Sequence, residues 1–274
     1  MKYDPIKRTL GKVFNATPYL RIIFYRLLDV LLLRSWHIHK ALRRWNAAHK
    51  SNKTNILDAG SGFGQYTYHI ARLSQNYNIT GVDVKEEQIA DCNNFFGKIG
   101  LGDRVKFEEA DLTKYSQKNK FGLILSVDVM EHIEDDRAVF SNFYESLVDG
   151  GMLLISTPSD LGGSDADEHD HDGTVHGFID EHVRDGYNIG DIEEKLRTAG
   201  FSKVDARYSY GTAGHISWIL SMKWPILMLG ASKLLFIILP FYYIIFYPWC
   251  LILNWIDVAT KHSAGTGLIV EATK

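Results

Sequence analysis

A strand that ends in an acid and breaks into a glycine turn constrains the fold of this chain more than any other feature. The stretch reads NILDAGSGFGQY from Asn55 to Tyr66. Its glycines fall at alternating positions, where a missing side chain permits positive φ and close approach of a ligand. In the dinucleotide pattern G-x-G-x-x-G the third glycine would fall at Gln65, so the glycine register does not fit a pyrophosphate binder. The stretch therefore predicts a strand, a cofactor-holding turn and a helix.

Three further strands also end in acids. YNITGVD ends at Asp83, RVKFEEAD at Asp111 and FGLILSVD at Asp128. Helix-length segments separate them, which predicts a parallel sheet with crossover helices and with ligands at the carboxyl ends of the strands. An acid at the tip of the second strand can accept hydrogen bonds from both hydroxyls of a ribose. The alternative for Asp83 alone is an ordinary turn residue at the end of a strand.

In this order and spacing, the motifs resemble those of the class I S-adenosylmethionine-dependent methyltransferases, and in particular the small-molecule and lipid-directed branch similar to methyltransferase type 11. The resemblance covers about two thirds of the chain, residues 54–212 and the last strand from Gly267 to Thr273. It implies an α/β fold: a Rossmann-like, doubly wound, mostly parallel seven-stranded sheet. An amino-terminal helical cap and a hydrophobic helical insertion before the last strand would complete it.

The resemblance also implies the cofactor, S-adenosyl-L-methionine, with S-adenosyl-L-homocysteine as its product. Asp58 and the glycine turn would hold the methionine and sulfonium portion, Asp83 the ribose, and Asp111 with Leu112 the adenine. Residues at the end of the fourth strand would line the floor under the methyl donor. The complete set of implied cofactor residues is Asp58, Gly60, Ser61, Gly62, Gly64, Gln65, Tyr66, Asp83, Val84, Asp111, Leu112, Ser126, Val127 and Asp128.

The segment DVMEHI after the fourth strand bears on the acceptor. It lacks the Asn/Asp-Pro-Pro-Tyr/Phe box of methyltransferases that act on amino groups of nucleic acids and glutamine, and it looks like the branch that includes quinone-biosynthesis enzymes. His182 is the first candidate for a base or orienting group, followed by His132 and Tyr187. A structural hydrogen bond is the alternative for each. Methyl transfer needs mainly alignment, with a base required for hydroxyl or carbon acceptors.

Residues 164–176, SDADEHDHDGTVH, are rich in His and Asp. No pair of them has the His spacing of a helix or of a zinc finger. We therefore expect a solvated loop without a metal, and a metal site is the alternative.

The net charge of −3 is the sum of a basic amino-terminal part and an acidic remainder. Residues 1–53 contain 12 Lys/Arg and 2 Asp/Glu, a net charge of +10, and the remainder carries −13. A basic arm on an acidic enzyme favours a polyanionic surface as partner. Aromatic residues do not alternate with the lysines and arginines in the way that stacking on nucleobases requires. We therefore expect an anionic membrane as the partner and no nucleic acid. The chain has only two cysteines, which favours a protein of the reducing cytosol. No long uncharged segment precedes Arg21, so we expect no cleaved signal peptide.

The basic arm itself predicts one helix or two between Pro18 and Trp45. Thr17 followed by Pro18 suits a helix start. Apolar residues then repeat at helical spacing, with arginines between them. Such a helix either lies in the interfacial plane of a bilayer or packs on the enzyme as a cap.

A strongly apolar insertion precedes the last strand. Residues 234–256 carry no charge over 23 positions, which is long enough for a membrane span. Two observations oppose a single span: the prolines Pro240 and Pro248 interrupt the run, and its tyrosines and tryptophans lie near its middle. In addition, the strands on both sides of the insertion must join one sheet, so the chain has to return to the side that it left. The preceding leg, His215 to Gly230, is too short to cross. We therefore expect helices that dip into one leaflet or cover the site as a lid, with a buried helix pair or a homodimer interface as alternatives.

The expected domains are an arm at 1–53, a methyltransferase domain at 54–212 with 263–274, and an insertion at 213–262. The expected function is S-adenosylmethionine-dependent methylation of an oxygen or carbon of a hydrophobic small molecule or lipid. The protein would be peripherally attached to the cytosolic face of a membrane. The alternatives are an NAD-dependent oxidoreductase acting on a lipophilic substrate and a non-catalytic, membrane-tethered cofactor-binding protein.

Overall fold

The computed structural model describes residues 17–162, 168–169, 175–176 and 183–274. The chain forms two compact units. The helical unit comprises the chain up to His39 together with Ser209–Ser263, and the sheet unit comprises Lys40–Tyr208 and Ala264–Lys274. Residues 40–49, which we expected in the arm, thus fall in the sheet unit.

Seven strands form one sheet in the order β3-β2-β1-β4-β5-β7-β6. Neighbours among β1 to β5 are parallel, whereas β7 is antiparallel to β5. This arrangement confirms the expected mostly parallel seven-stranded fold. The strands are β1 Thr54–Ala59, β2 Tyr77–Asp83, β3 Val105–Glu109, β4 Phe121–Val127, β5 Leu147–Pro158, β6 Lys203–Ser209 and β7 Gly267–Thr273. A separate two-residue pair joins Glu168–His169 to Val175–His176.

The helices of the described chain largely follow the expected pattern. Within the sheet unit, the helix predicted from Ile189 to Ala199 has those bounds. The crossover helices cover a core in which Leu57, Ile124 and Leu153 are fully buried, as expected for central parallel strands. The helices are α1 Pro18–Leu31, α2 Leu33–His49, α3 Gln65–Leu73, α4 Glu86–Lys98, α5 Asp136–Ser146, α6 Ile189–Ala199, α7 Thr212–Trp218, α8 Trp224–Ala231 and α9 Leu239–Ala259.

The basic arm forms two helices. The Thr17 hydroxyl accepts the N–H of Leu20 at 3.3 Å, so the predicted start of α1 is confirmed. Leu32 has an extended backbone, with φ −92° and ψ 114°, and separates α1 from α2.

The insertion of the helical unit is a helical hairpin. Its first leg is continuous from Thr212 to Ala231, because the π-helical turn Ile219–Lys223 joins α7 to α8. The second leg, α9, runs antiparallel to it: Gly214 N–H donates to Asp257 at 3.0 Å, and Ser217 Oγ donates to Asn254 at 2.6 Å. The first leg is therefore longer than the sequence indicated, since the wide turn carries the chain past Pro225 without ending the helix. In the described part of the chain, α9 alone is long and apolar enough to cross a membrane.

Candidate cofactor and active site

The glycine turn follows β1 directly and needs glycine for two reasons. Gly60, Gly62 and Gly64 have φ of +77°, +51° and +81°, a region that side chains disfavour. In addition, a Cβ on Gly60 would lie 2.2 Å from Cγ2 of Val129, and one on Gly64 would lie 2.9 Å from the Phe96 ring. At Gly62 a Cβ would point into open space. The turn is thus packed at both ends and open in its middle.

The backbone N–H groups of this turn already have protein acceptors. Gly60 and Ser61 donate to the Val82 carbonyl at 2.8 and 2.9 Å, and Gly62 donates to Oδ2 of Asp83 at 2.9 Å. A phosphate-binding loop keeps such N–H groups free for the anion. The turn is therefore unsuited to a pyrophosphate, in agreement with its glycine register.

Asp83 stands at the carboxyl end of β2, as predicted. Its Oδ2 accepts the Gly62 N–H, and its Oδ1 accepts the Lys85 N–H at 3.1 Å. Each carboxylate oxygen has a further lone pair, so both oxygens can also accept a ligand hydroxyl. The neighbouring Val84 side chain is 62% exposed and offers an apolar surface next to that carboxylate. This pairing suits a ribose and an attached base.

Asp58 is buried at the end of β1. Burial raises the pKa of its carboxyl to about 6, and the charge of Asp83 adds to the rise, while hydrogen bonds from Thr67 oppose it. The Thr67 hydroxyl donates to Oδ2 of Asp58 at 2.5 Å. A nearby cation would relieve the burial of this carboxylate, as the positively charged methionine portion of S-adenosylmethionine can do.

Two buried hydroxyls at the same edge of the sheet have no hydrogen-bond partner among the residues that the structure describes. They are those of Ser61, in the glycine turn, and Ser126, near the end of β4. Ser126 lies in register with Ala59, the last residue of β1. A buried hydroxyl without a partner costs about 1–3 kcal/mol, which a bound polar ligand would recover. S-adenosylmethionine fits this set of groups: the two unpartnered hydroxyls, the glycine turn and the Asp83 carboxylate.

Asp111 and Leu112 follow β3. Asp111 is exposed, and its Oδ1 accepts the backbone N–H and the hydroxyl of Thr113 at 2.9 and 2.7 Å. These hydrogen bonds lower the pKa of Asp111, so it stays an ionised acceptor at neutral pH. Leu112 is buried.

The remaining predicted cofactor residues lie in the same unit. Gln65 is buried at the start of α3, and Tyr66 beside it is half-buried. Val127 is half-buried at the end of β4. Asp128 has a φ of +51° and donates its N–H to Ser156 at 2.9 Å, which turns the chain sharply out of the strand.

The three candidate residues for the substrate side differ in what the structure describes of them. His132 ends a single helical turn, Met130–His132, after β4 and is half-buried. His182 lies outside the described residues, and so do the side chains of the His/Asp-rich stretch at 164–176. Tyr187 is 1% exposed, and its hydroxyl donates to Asp136 at 2.8 Å.

Tyr187 belongs to a buried charge network. Besides Tyr187, the Asp136 carboxylate binds Arg184 and Lys195, the latter at 2.9 Å. Burial alone would raise the pKa of Asp136, but hydrogen bonds from Lys195, Tyr187 and Arg184 hold it below its ordinary value. Burial and the adjacent Asp136 raise the pKa of the Tyr187 phenol. This geometry favours a structural role for Tyr187 over that of a base.

Sequence reasoning also missed a buried acid, Glu131. It is 1% exposed, and its Oε2 accepts the Thr157 hydroxyl at 3.1 Å near the end of β5. Its position three residues after Asp128, at a strand end, was the available signal. The acid side chain thus ties the turn after β4 to β5.

Comparison with known proteins agrees with this geometry. A methyltransferase domain family matches residues 50–200, more than half of the chain. Phosphoethanolamine N-methyltransferase 1 of Arabidopsis thaliana is 31% identical over 55% of this chain and 29% of its own length. Sterol 24-C-methyltransferase of Pneumocystis carinii is 28% identical over 54% of this chain and 40% of its own length. The chain thus spans well under half the length of these curated relatives.

A solved structure shares the fold. It is phosphoethanolamine N-methyltransferase 2 of Haemonchus contortus in complex with S-adenosyl-L-methionine, with a TM-score of 0.57 and 22% identity. The alignment covers 87% of this chain and 52% of that one. The family match confirms the enzyme class and cofactor that the motifs implied: the chain belongs to the class I S-adenosylmethionine-dependent methyltransferase family.

Proposed function

We propose that this chain methylates an oxygen or carbon of a hydrophobic small molecule or lipid while attached to the cytosolic face of an anionic membrane. One observation carries the lipophilic part of the proposal. The helical unit exposes a row of large apolar side chains on α9, each between 52 and 67% exposed: Phe241, Ile245, Trp249, Ile252 and Trp255. Soluble monomers rarely expose so large an apolar surface without a partner.

The methyl-transfer part rests on the sheet unit. When bound, S-adenosylmethionine supplies a methyl group on a positively charged sulfur. Asp83 would orient the ribose, and the Ser61 and Ser126 hydroxyls would bind polar atoms near the turn. His132 would hold or move a proton on the substrate side. Orientation of this kind can supply much of the acceleration of methyl transfer.

The relatives support a choice of acceptor only in outline. Their names assign nitrogen methylation to the plant protein and carbon methylation of a sterol to the fungal one. A sterol is lipophilic, as the exposed surface of α9 would require. The alternative of a nicotinamide-dependent enzyme receives no support from the glycine turn, whose N–H groups are occupied.

The test is a pair of measurements on the full chain. Calorimetric titration with S-adenosylmethionine should give binding, and titration with NAD should give none. Incubation of the protein with methyl-labelled S-adenosylmethionine and a membrane lipid extract should then transfer label to an extractable lipid, identified by mass spectrometry. The Asp83→Ala variant should lose labelling, while Asp149→Ala, which removes an exposed acid elsewhere in the sheet unit, should retain it.

Two outcomes would contradict the proposal in different ways. Binding of S-adenosylmethionine with no label in any lipid would leave the non-catalytic scaffold as the better reading. Label found only in water-soluble acceptors would retain the methyltransferase and reject the lipophilic substrate.

A further inference from the structure

We propose that the hairpin of the helical unit, Thr212–Ala231 with Leu239–Ala259, is embedded in the hydrocarbon of a bilayer and returns to the side from which it enters. The inference rests on the membrane association in the proposed function and changes its mode from peripheral to integral. Four observations within the helical unit support it.

The outward side of α9 is apolar along its whole length. Exposed residues recur at helical spacing as Phe241, Ile245, Trp249, Ile252 and Trp255, and none of them is charged. The connection before α9 continues the surface, since Phe236 and Ile237 are 62 and 70% exposed. A soluble helix shows the reverse pattern, with its apolar side turned inward.

Three polar side chains of α9 face the first leg of the hairpin: Tyr242, Tyr243 and Asn254. Tyr242 and Tyr243 donate their hydroxyls to backbone carbonyls of the first leg at 2.7 and 2.9 Å, and Asn254 accepts from Ser217 at 2.6 Å. In the sequence alone, the central tyrosines counted against a membrane span. The structure removes that objection, because their polar ends are satisfied inside the protein.

The two tyrosines satisfy the carbonyls that Pro225 leaves without a donor. In an α-helix Ser221 O would accept the N–H of residue 225, and in the π-helical turn Leu220 O would accept it, but proline has no N–H. Tyr243 donates to Ser221 O and Tyr242 to Leu220 O. In hydrocarbon an unsatisfied backbone group costs several kcal/mol, whereas at an aqueous surface water would supply the donor.

The charges near the base of the hairpin are also compensated. Asp257 is fully buried, and its Oδ1 lies 2.8 Å from Nε2 of His37 and 3.2 Å from the Tyr210 N–H. Its Oδ2 accepts the Gly214 N–H and lies 3.2 Å from His262. Halfway along the first leg, the Lys223 ammonium lies 6.0 Å from the centre of the Trp218 ring, a cation–π geometry that stabilises a desolvated cation.

Charge distinguishes a bilayer from a second copy of the chain as the occupant. The helical unit contains ten Lys/Arg and three Asp/Glu, a net charge of +7, while the sheet unit contains 20 and 30, a net charge of −10. Two helical units facing each other would repel, whereas an anionic headgroup layer complements this charge. Each leg, at ~1.5 Å per residue, is about 30 Å long, which matches the hydrocarbon thickness.

The test uses the full chain and vesicles of zwitterionic lipid with an anionic fraction. The protein should float with the vesicles, stay bound through washes with high salt and alkaline carbonate, and show tryptophan quenching by lipids brominated deep in their acyl chains. Trp224→Phe, Trp249→Phe and Trp255→Phe together should remove most of that quenching, because these three are the exposed tryptophans of the two legs. The quenching measurement needs no destabilising variant.

A charge variant supplies the matched control. Ile245→Lys and Ile252→Lys together should lower vesicle binding by about tenfold or more, because a lysine is strongly disfavoured in hydrocarbon. Asn94→Lys, which adds a charge on an exposed part of α4, should leave binding unchanged. Calorimetric binding of S-adenosylmethionine to each variant reports whether the chain is folded.

Each other outcome overturns the inference. Flotation with release by carbonate and no quenching would mean peripheral attachment, which leaves the proposed function intact. A soluble dimer that the double lysine variant separates would assign the surface to a second copy. A monomer that neither floats nor is quenched would remove the membrane from both proposals.

Discussion

The N–H of Gly62 donates to Oδ2 of Asp83 at 2.9 Å, so the side chain at the end of β2 fixes the middle of the glycine turn. Asp83 therefore has two tasks in the proposed site. It holds the turn in its left-handed conformation before a ligand arrives, and it presents acceptors to that ligand.

We expect Asp83→Ala to weaken S-adenosylmethionine binding by about 1–3 kcal/mol, because charge-assisted hydrogen bonds are lost. Asp83→Asn should weaken it less, since the amide oxygen still accepts the Gly62 N–H. Calorimetry measures both. Equal affinity of Asp83→Ala and the unmodified chain would remove Asp83 from the site.

The raised pKa of Asp58 predicts a pH dependence of cofactor affinity. With a pKa of about 6, Asp58 is mostly protonated at pH 5 and mostly ionised at pH 7. A bound cation favours the ionised form, so affinity should rise about tenfold from pH 5 to pH 7. The Asp58→Asn variant should show a flatter profile. An affinity that falls over this range would contradict the assignment of Asp58 to the positively charged portion of the cofactor.

The same shift affects the stability of the ligand-free protein. The folded chain holds the Asp58 proton up to about pH 6, whereas the unfolded chain releases it near pH 3.9. Folding stability attributable to Asp58 therefore falls as pH rises between these values, by about 3 kcal/mol. Asp58→Asn should abolish that part of the fall. Denaturant unfolding of both forms at pH 4.5 and 7 measures the difference, and parallel curves would show that Asp58 is not buried as described.

Replacement of Tyr187 separates a structural role from a catalytic one. Tyr187→Phe removes a buried hydrogen bond to Asp136 and should lower the free energy of unfolding by about 1–3 kcal/mol. Arg184 and Lys195 still pair with Asp136 in this variant. The pH profile of methyl transfer should keep its shape. Loss of the limb on which the rate rises with pH would instead make Tyr187 the base.

The contact of Tyr243 with Ser221 predicts an energetic coupling to Pro225. Tyr243→Phe should destabilise the hairpin by about 1–3 kcal/mol, since it leaves a buried carbonyl without a donor. In a Pro225→Ala background the restored N–H can serve that carbonyl, so the same replacement should cost less. A double-mutant cycle by thermal unfolding in detergent measures the coupling. Strict additivity would show that the tyrosine and the proline act independently.

Much of the sheet unit could be predicted from local sequence. Each strand that positions the site ends in an acid or a glycine turn. In the helical unit, the start of α1 could likewise be predicted from Thr17 and Pro18. These signals are local, since they depend on neighbouring residues and on the period of the apolar pattern. The strand-end acids Asp83 and Asp111 consequently lie where they were expected.

Other features depend on contacts between distant residues. Nothing near Leu32 marks the break between α1 and α2, because neither glycine nor proline occurs there. A proline such as Pro225 ordinarily interrupts a helix, but the π-helical turn and the tyrosines of α9 accommodate it. The pairing of Asp136 with Arg184 joins residues 48 positions apart, which spacing alone does not reveal.

The order of the last two strands makes the hairpin a replaceable part. β6 and β7 are neighbours in the sheet, and Ser202 before β6 donates to Thr273 at the end of β7 at 2.9 Å. The strands are therefore antiparallel, and their connected ends lie about one strand spacing, ~5 Å, apart. A short turn of a few residues could bridge that gap without changing the sheet. The fold thus accepts insertions of very different length and polarity at this position, and exchange of the hairpin offers a route to a water-soluble catalytic domain.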